Sequence, residues 1–204
     1  MKTKAKSKPS LAKTKSDSTI IKRLAAWYDA ATPEQIKAGK EWYDEARAFS
    51  RYLAARYSVT DTAAATVLSA LSPGVNWTRN KIDAENLIAT YVDGKPIDAV
   101  TVSTYGQNKR KAWEALATGF RIESQSPKTF SFVTNICGNL QPVTVDRWHA
   151  RACLYGPGKK RQVSESIPLA QYRRVEQLTQ RLARKLSLPP AIFQAIIWVT
   201  IRES

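Results

Sequence analysis

From Thr19 onward, apolar side chains recur at intervals of three and four residues, the repeat that gathers them on one face of an α-helix. Ile20, Ile21, Leu24 and the Trp27–Tyr28 pair open the series. Thr32-Pro33-Glu34-Gln35 then reads as a helix start. Thr is the N-cap, Pro takes the first helical position, and Gln reaches back to complete a capping box. The helix it begins carries Trp42, Tyr43, Ala46, Phe49, Tyr52 and Leu53 on one side. Thr60-Asp61 starts a helix of small residues, Thr62 to Leu71, which Ser72-Pro73-Gly74 stops. Its alanine-rich surface predicts close packing and a central position. A further helix is expected from about Asn76 to Tyr91, with Asp93-Gly94 turning the chain.

The second half continues in the same period. Gly106 precedes a basic helix, Gln107 to Ala117, whose Ala112, Trp113 and Leu116 face inward. Ser126-Pro127 opens a helix that runs to Asn135–Ile136 and ends at Gly138. After the short apolar Val143-Thr144-Val145, Asp146 caps a helix through Leu154. Two last helices are expected, roughly Leu169 to Leu186 and Pro190 to Arg202. Trp27, Trp42, Trp113 and Trp198 are expected in the core. With no strand ladder and no repeat of solenoid length, the fold class is all-α.

Composition adds a partner to this picture. The 204 residues suit one domain, residues 19–204, behind an N-terminal arm of residues 1–18. That arm, with Lys2, Lys4, Lys6, Lys8, Lys13 and Lys15 among small and polar residues, holds too little apolar area to offset its ordering entropy and is expected to be disordered. The net charge is +15 and the isoelectric point about 10.0. Such a balance favours a polyanion, because each Lys or Arg near a phosphate releases condensed counterions. Association with a ribosome, or charge serving solubility alone, are alternatives that the charge leaves open. Cys137 and Cys153 suit small buried hydrophobes rather than a disulfide framework or a zinc site. A single histidine, His149, excludes a His-based metal cluster. With no signal-type apolar region and no long apolar run, a soluble cytoplasmic protein without membrane association is expected.

One stretch carries chemistry: SPKTFSFVTNICGNLQPVTVDRWHARACLY, residues 126–155. It reads as helix, polar loop, short apolar segment, and an Asp opening a second helix. Lys128 and Asp146 stand 18 residues apart, Val143 and Val145 precede the Asp, and Arg151 follows it. In order and spacing this resembles the helix-hairpin-helix DNA glycosylase superfamily, especially its endonuclease III-like branch. The likeness extends to Thr66-Val67-Leu68-Ser69-Ala70, to Asn80-Lys81, to Lys111-Ala112 and to the closing Trp198-Val199-Thr200-Ile201, so that it covers roughly residues 60–204.

The resemblance implies a two-lobed helical domain acting as a monomer on duplex DNA with an everted base, in base excision or DNA modification. It implies Asp146 and Lys128 as catalytic residues. It also implies DNA contacts at Leu71 (a wedge into the base stack), Asn80, Lys81, Ser126, Thr129, Arg147, Arg151, Lys159, Lys160 and Arg161. Trp148 and His149 would line the base pocket. The hairpin departs from the family: Ile122 to Pro127 contains no glycine and includes Glu123, leaving the Ser126 helix start to hold the phosphate. The four cysteines that hold an iron–sulfur cluster in many members have no counterpart, and no cofactor or metal is expected.

Chemistry supports the same residues independently. Breaking an N-glycosidic bond builds positive charge on the sugar, and a fixed carboxylate stabilises that transition state. A helix N-terminus favours the charged carboxylate through N–H donation and the dipole. A cation in a first helical turn is poorly placed for structure alone, whereas a partly desolvated lysine amine can attack C1′ and form a Schiff base. Lys128 would then add AP-lyase activity to glycosylase activity. Alternatives are a phage-type base-modifying enzyme on the same fold and a non-catalytic DNA-binding module in which Asp146 is only a cap.

Overall fold

A computed structural model describes residues 15–119, 126–158, 163 and 167–204. Among them are nine α-helices and no strand. These are α1 (Asp17–Asp29), α2 (Pro33–Tyr57), α3 (Asp61–Leu71), α4 (Trp77–Val92), α5 (Gly106–Thr118), α6 (Pro127–Ile136), α7 (Arg147–Leu154), α8 (Leu169–Lys185) and α9 (Pro190–Glu203). A 3-10 turn, Ile97–Ala99, lies between α4 and α5. The all-α expectation holds, and so do most helix boundaries, because the caps behave as their chemistry requires. Thr32 and Gln35 form the reciprocal capping box, Gln35 N–H donating to Thr32 Oγ1 at 3.3 Å and Thr32 N–H to Gln35 Oε1 at 3.0 Å. Helix α1 begins earlier than its apolar repeat suggests, at Asp17, since Ser16 caps it by accepting the Thr19 N–H. Residues 1–14 of the expected arm lie outside the described residues.

The chain divides into two compact units. One combines Met1–Trp42 with Leu140–Ser204; the other is Tyr43–Asn139. Helix α2 therefore contributes to both.

In the first unit, α1 packs on α7, α8 and α9, while α7 and α8 each pack on α9. Ile20, Leu24 and Trp27 of α1 meet Val143, Val145, Cys153, Val175, Leu178, Phe193 and Ile197 in one core. Each such side chain removed from water contributes about 1.5–3 kcal/mol. Trp27 also uses its polar edge, donating from Nε1 to the Tyr155 carbonyl at 2.8 Å, and Arg23 donates to the Cys153 and Leu154 carbonyls. These bonds satisfy the C-terminal end of α7, whose last carbonyls have no partner inside the helix. Helix α9 is buried on nearly all sides, and α2 approaches it closely at Gly39, where a Cβ would lie 2.5 Å from Ile196 Cα.

The second unit is organised around α3, buried from Ala63 through Leu71 and packed against α4, α5 and α6. The alanine-rich helix is central, as its composition predicts. Helix α6 ends at Ile136, and the chain turns away at Gly138, where φ is +105° and the Arg47 guanidinium occupies the space of a side chain. Arg47 Nε donates there to the Ile136 carbonyl at 3.3 Å. Of the four tryptophans expected in the core, only Trp27 is fully buried. Trp42 and Trp198 are half-buried and meet edge-to-face at 5.6 Å; Trp113 is half-buried against Tyr91 at 5.1 Å. Cys153 is a buried hydrophobe with its thiol pushed up to about 12 by burial, but Cys137 is exposed, contrary to expectation, because it caps the end of α6.

Candidate functional site

Asp146 is the N-cap of α7 and half-buried, its Oδ1 accepting the His149 N–H at 2.8 Å. What holds it lies one helix away in the fold. The segment before it runs antiparallel along α8: Gln180 Nε2 donates to the Gln141 carbonyl at 3.1 Å, and the Val143 N–H donates to Glu176 Oε1 at 3.0 Å. The Tyr172 hydroxyl donates to the Val143 carbonyl at 2.7 Å and accepts the Val145 N–H at 3.3 Å. Val143 and Val145 bury their side chains in the core. An extended segment buried without a sheet must find partners for its backbone groups, and α8 provides them. Asp146 thus emerges one residue beyond a clamped strap. Tyr172 and Glu176 escape sequence inspection; the one signal is that Glu176 is the single acid in a helix otherwise rich in cations.

Beside the carboxylate, Arg147 is exposed and Arg151 half-buried, and their guanidinium carbons lie 5.2 and 5.6 Å from the centre of the Trp148 ring. Trp148 packs against the core. Trp148, expected in the base pocket, is half-buried there, and its ring orients two cations. His149 is sealed in the interior instead of lining a pocket. It is 1% exposed and its Nε2 lies 2.9 Å from Thr179 Oγ1. The Thr179 hydroxyl already donates to the Val175 carbonyl, so Nε2 carries the ring proton and Thr179 accepts it. Burial pushes this imidazole down to about 4, so it is neutral at physiological pH.

Lys128 belongs to the second unit, at the second position of α6, and is half-buried. Ser126 caps that helix, its Oγ accepting the Thr129 N–H at 3.3 Å and lying 3.0 Å from Thr129 Oγ1. Both residues, expected to meet DNA, take part in this cap. Leu71 is 0% exposed, enclosed by the helices around α3, and a side chain so placed is core rather than a wedge. Asn80 is 1% exposed and donates from Nδ2 to the Leu68 carbonyl at 3.0 Å. It satisfies one of the unpaired carbonyls at the end of α3 instead of contacting DNA. Lys81 is half-buried with its ammonium 5.4 Å from the Phe49 ring centre. Lys159, Lys160, Arg161 and the glycine-free hairpin stretch 122–125 lie outside the described residues.

Residues 6–204 match the profile of DUF7178, a family of unknown function, and the chain belongs to that family. No curated protein and no solved structure matches it. Among the described residues, no helix is long and apolar enough to cross a membrane.

Proposed function

We propose that this protein acts on a base in DNA as a DNA glycosylase, with Asp146 stabilising the charge that develops on the sugar. The observation that carries the reading is the clamped strap. Tyr172 and Glu176 fix the backbone on which the half-buried Asp146 stands, and Arg147 and Arg151 of the helix that it caps carry charge suited to a phosphate backbone. Preorganised charge usually contributes most to such catalysis, because no reorganisation is needed as the bond breaks. In the reaction the C1′–N bond breaks, its electron pair leaves with the base, and a nucleophile attacks C1′ from water or from an amine. Two compact units are in keeping with the two-lobed architecture that the resemblance implies.

For Lys128 the resemblance implies a Schiff base with C1′, giving AP-lyase activity. The test is release of free base from a panel of modified duplexes, with borohydride trapping in parallel. Base release lost in Asp146→Asn supports the glycosylase, and an adduct lost in Lys128→Ala assigns the amine. Base release without trapping leaves Asp146 active and removes Lys128 from the chemistry.

The burial of Leu71, Asn80 and His149 favours a second reading, a DNA-binding module without catalysis, since an expected wedge, an expected DNA contact and an expected base-pocket residue are all in the interior. Tight, salt-dependent binding unchanged by Asp146→Asn, with no base released from any duplex, would establish it.

A further inference from the structure

Helix α8 separates its charges. It carries Arg173, Arg174, Arg181, Arg184 and Lys185 against one acid, Glu176. Glu176 is half-buried and consumed by the Val143 N–H. Arg174 is consumed as well, since it pairs with Asp17 and donates to the Lys15 carbonyl at 3.0 Å. The remaining four cations, Arg173, Arg181, Arg184 and Lys185, are all exposed and form no ion pair among the described residues. Their spacing places them on one side of the helix. The buried side of the same helix, with Tyr172, Val175, Leu178, Thr179 and Leu182, faces the core.

Arg184 and Lys185 in the last turn complement the negative end of the helix dipole, which accounts for them without a ligand. Neither Arg173 nor Arg181 gains from that effect. A row of unpaired cations repels itself, and an exposed helix face is ordinarily relieved by acids at neighbouring positions. Here the one exposed polar residue between Arg173 and Arg181 is the neutral Gln177.

We infer that the outer face of α8 is a phosphate track, and that it takes the backbone of duplex DNA. This rests on the proposal that DNA is the substrate, and it extends the interface to a helix that the sequence resemblance does not assign. Arg181 and Arg184 stand about 12 and 17 Å along the axis from Arg173 at 1.5 Å per residue. That length corresponds to the rise of about five successive phosphates of one strand. One end of the track adjoins the candidate site, because Arg173 follows Tyr172, whose hydroxyl holds the residue before Asp146. The same helix therefore clamps the carboxylate on its inner side and engages the strand on its outer side.

The test is the salt dependence of binding to an unmodified duplex, for the full-length protein and the triple variant R173Q/R181Q/R184Q. Removing one cation from a phosphate lowers the slope of log affinity against log salt by about 0.9, so the triple variant is expected to lose up to about three units. Arg174→Gln is the matched control, expected to leave the slope unchanged. Circular dichroism on each variant verifies the helix content. If the triple variant keeps the wild-type slope, the track is wrong, while base release dependent on Asp146 would leave the glycosylase reading standing. A wild-type protein that binds duplex without salt dependence overturns both.

Discussion

Two helix starts, α6 and α7, are alike in sequence and differ in how the fold treats them. Each has a hydrogen-bonding N-cap, Ser126 in one and Asp146 in the other, and each accepts the N–H three residues on, at Thr129 and His149. At α6 the cap is local: an exposed Ser126 bonded to a half-buried Thr129, with Pro127 setting the first turn. At α7 the cap is part of the interior. Its third residue, His149, is buried on Thr179, and the segment leading to it is tied to Tyr172 and Glu176 of α8. A cap can be assembled anywhere from a few residues. A rigid carboxylate needs a second element to hold the backbone behind it, and at α7 that element is α8.

The largest expected effect is catalytic. Asp146→Asn should lower base release by about 10²- to 10³-fold, the usual cost of losing one preorganised electrostatic partner. Asn caps a helix about as well as Asp, so the cap itself is kept and base release should fall by far more than stability does. A matching fall in stability would mean that Asp146 serves the fold alone.

Next comes a pH effect that belongs to α7 and has no counterpart at Thr129. Above about pH 6.5 neither folded nor unfolded chain protonates His149. Between there and about 4 the unfolded chain takes a proton that the buried ring refuses, so stability falls as pH falls, by up to about 3 kcal/mol, and levels off below. Urea midpoints from pH 7.5 to 4 should show this slope, and His149→Asn should flatten it relative to wild type.

Tyr172→Phe removes the hydroxyl that bridges the Val143 carbonyl and the Val145 N–H. Two buried backbone groups lose their partner, at a cost of about 1–3 kcal/mol. Denaturant midpoints measure that loss, and base release measured well below the unfolding range should fall as well, since the strap behind Asp146 loosens. The smallest effect is expected at the local cap: Ser126→Ala should cost about 1 kcal/mol. If Ser126→Ala proves as damaging as Tyr172→Phe, the contrast between a local and an embedded helix start is lost.

Helix placement was legible from sequence because its causes are local. Thr32-Pro33, Thr60-Asp61, Ser126-Pro127 and Asp146 each announce a helix start through groups within three residues, and Gly138 announces an end through a positive φ. Burial at single positions was not. Leu71 and Asn80 lie where an exposed side chain is expected, but periodicity gives a direction around the helix axis without saying what covers it. The covering elements are α4, α5 and α6 for the helix ending in Leu71, and an unpaired Leu68 carbonyl draws Asn80 inward. Trp148 and His149 diverge for the same reason: one step around α7 separates a ring beneath two arginines from a ring inside the core.

By itself, then, the order of residues determined an all-helical chain, strongly basic, with a carboxylate heading the helix after Val143-Thr144-Val145. These follow from repeat, charge and capping, which act over a few residues or over the chain as a whole. Tertiary structure alone decided that α8 clamps this segment and that His149 is neutral and sealed. Such outcomes depend on backbone groups finding partners 27 to 39 residues away, and no local pattern specifies which partner arrives.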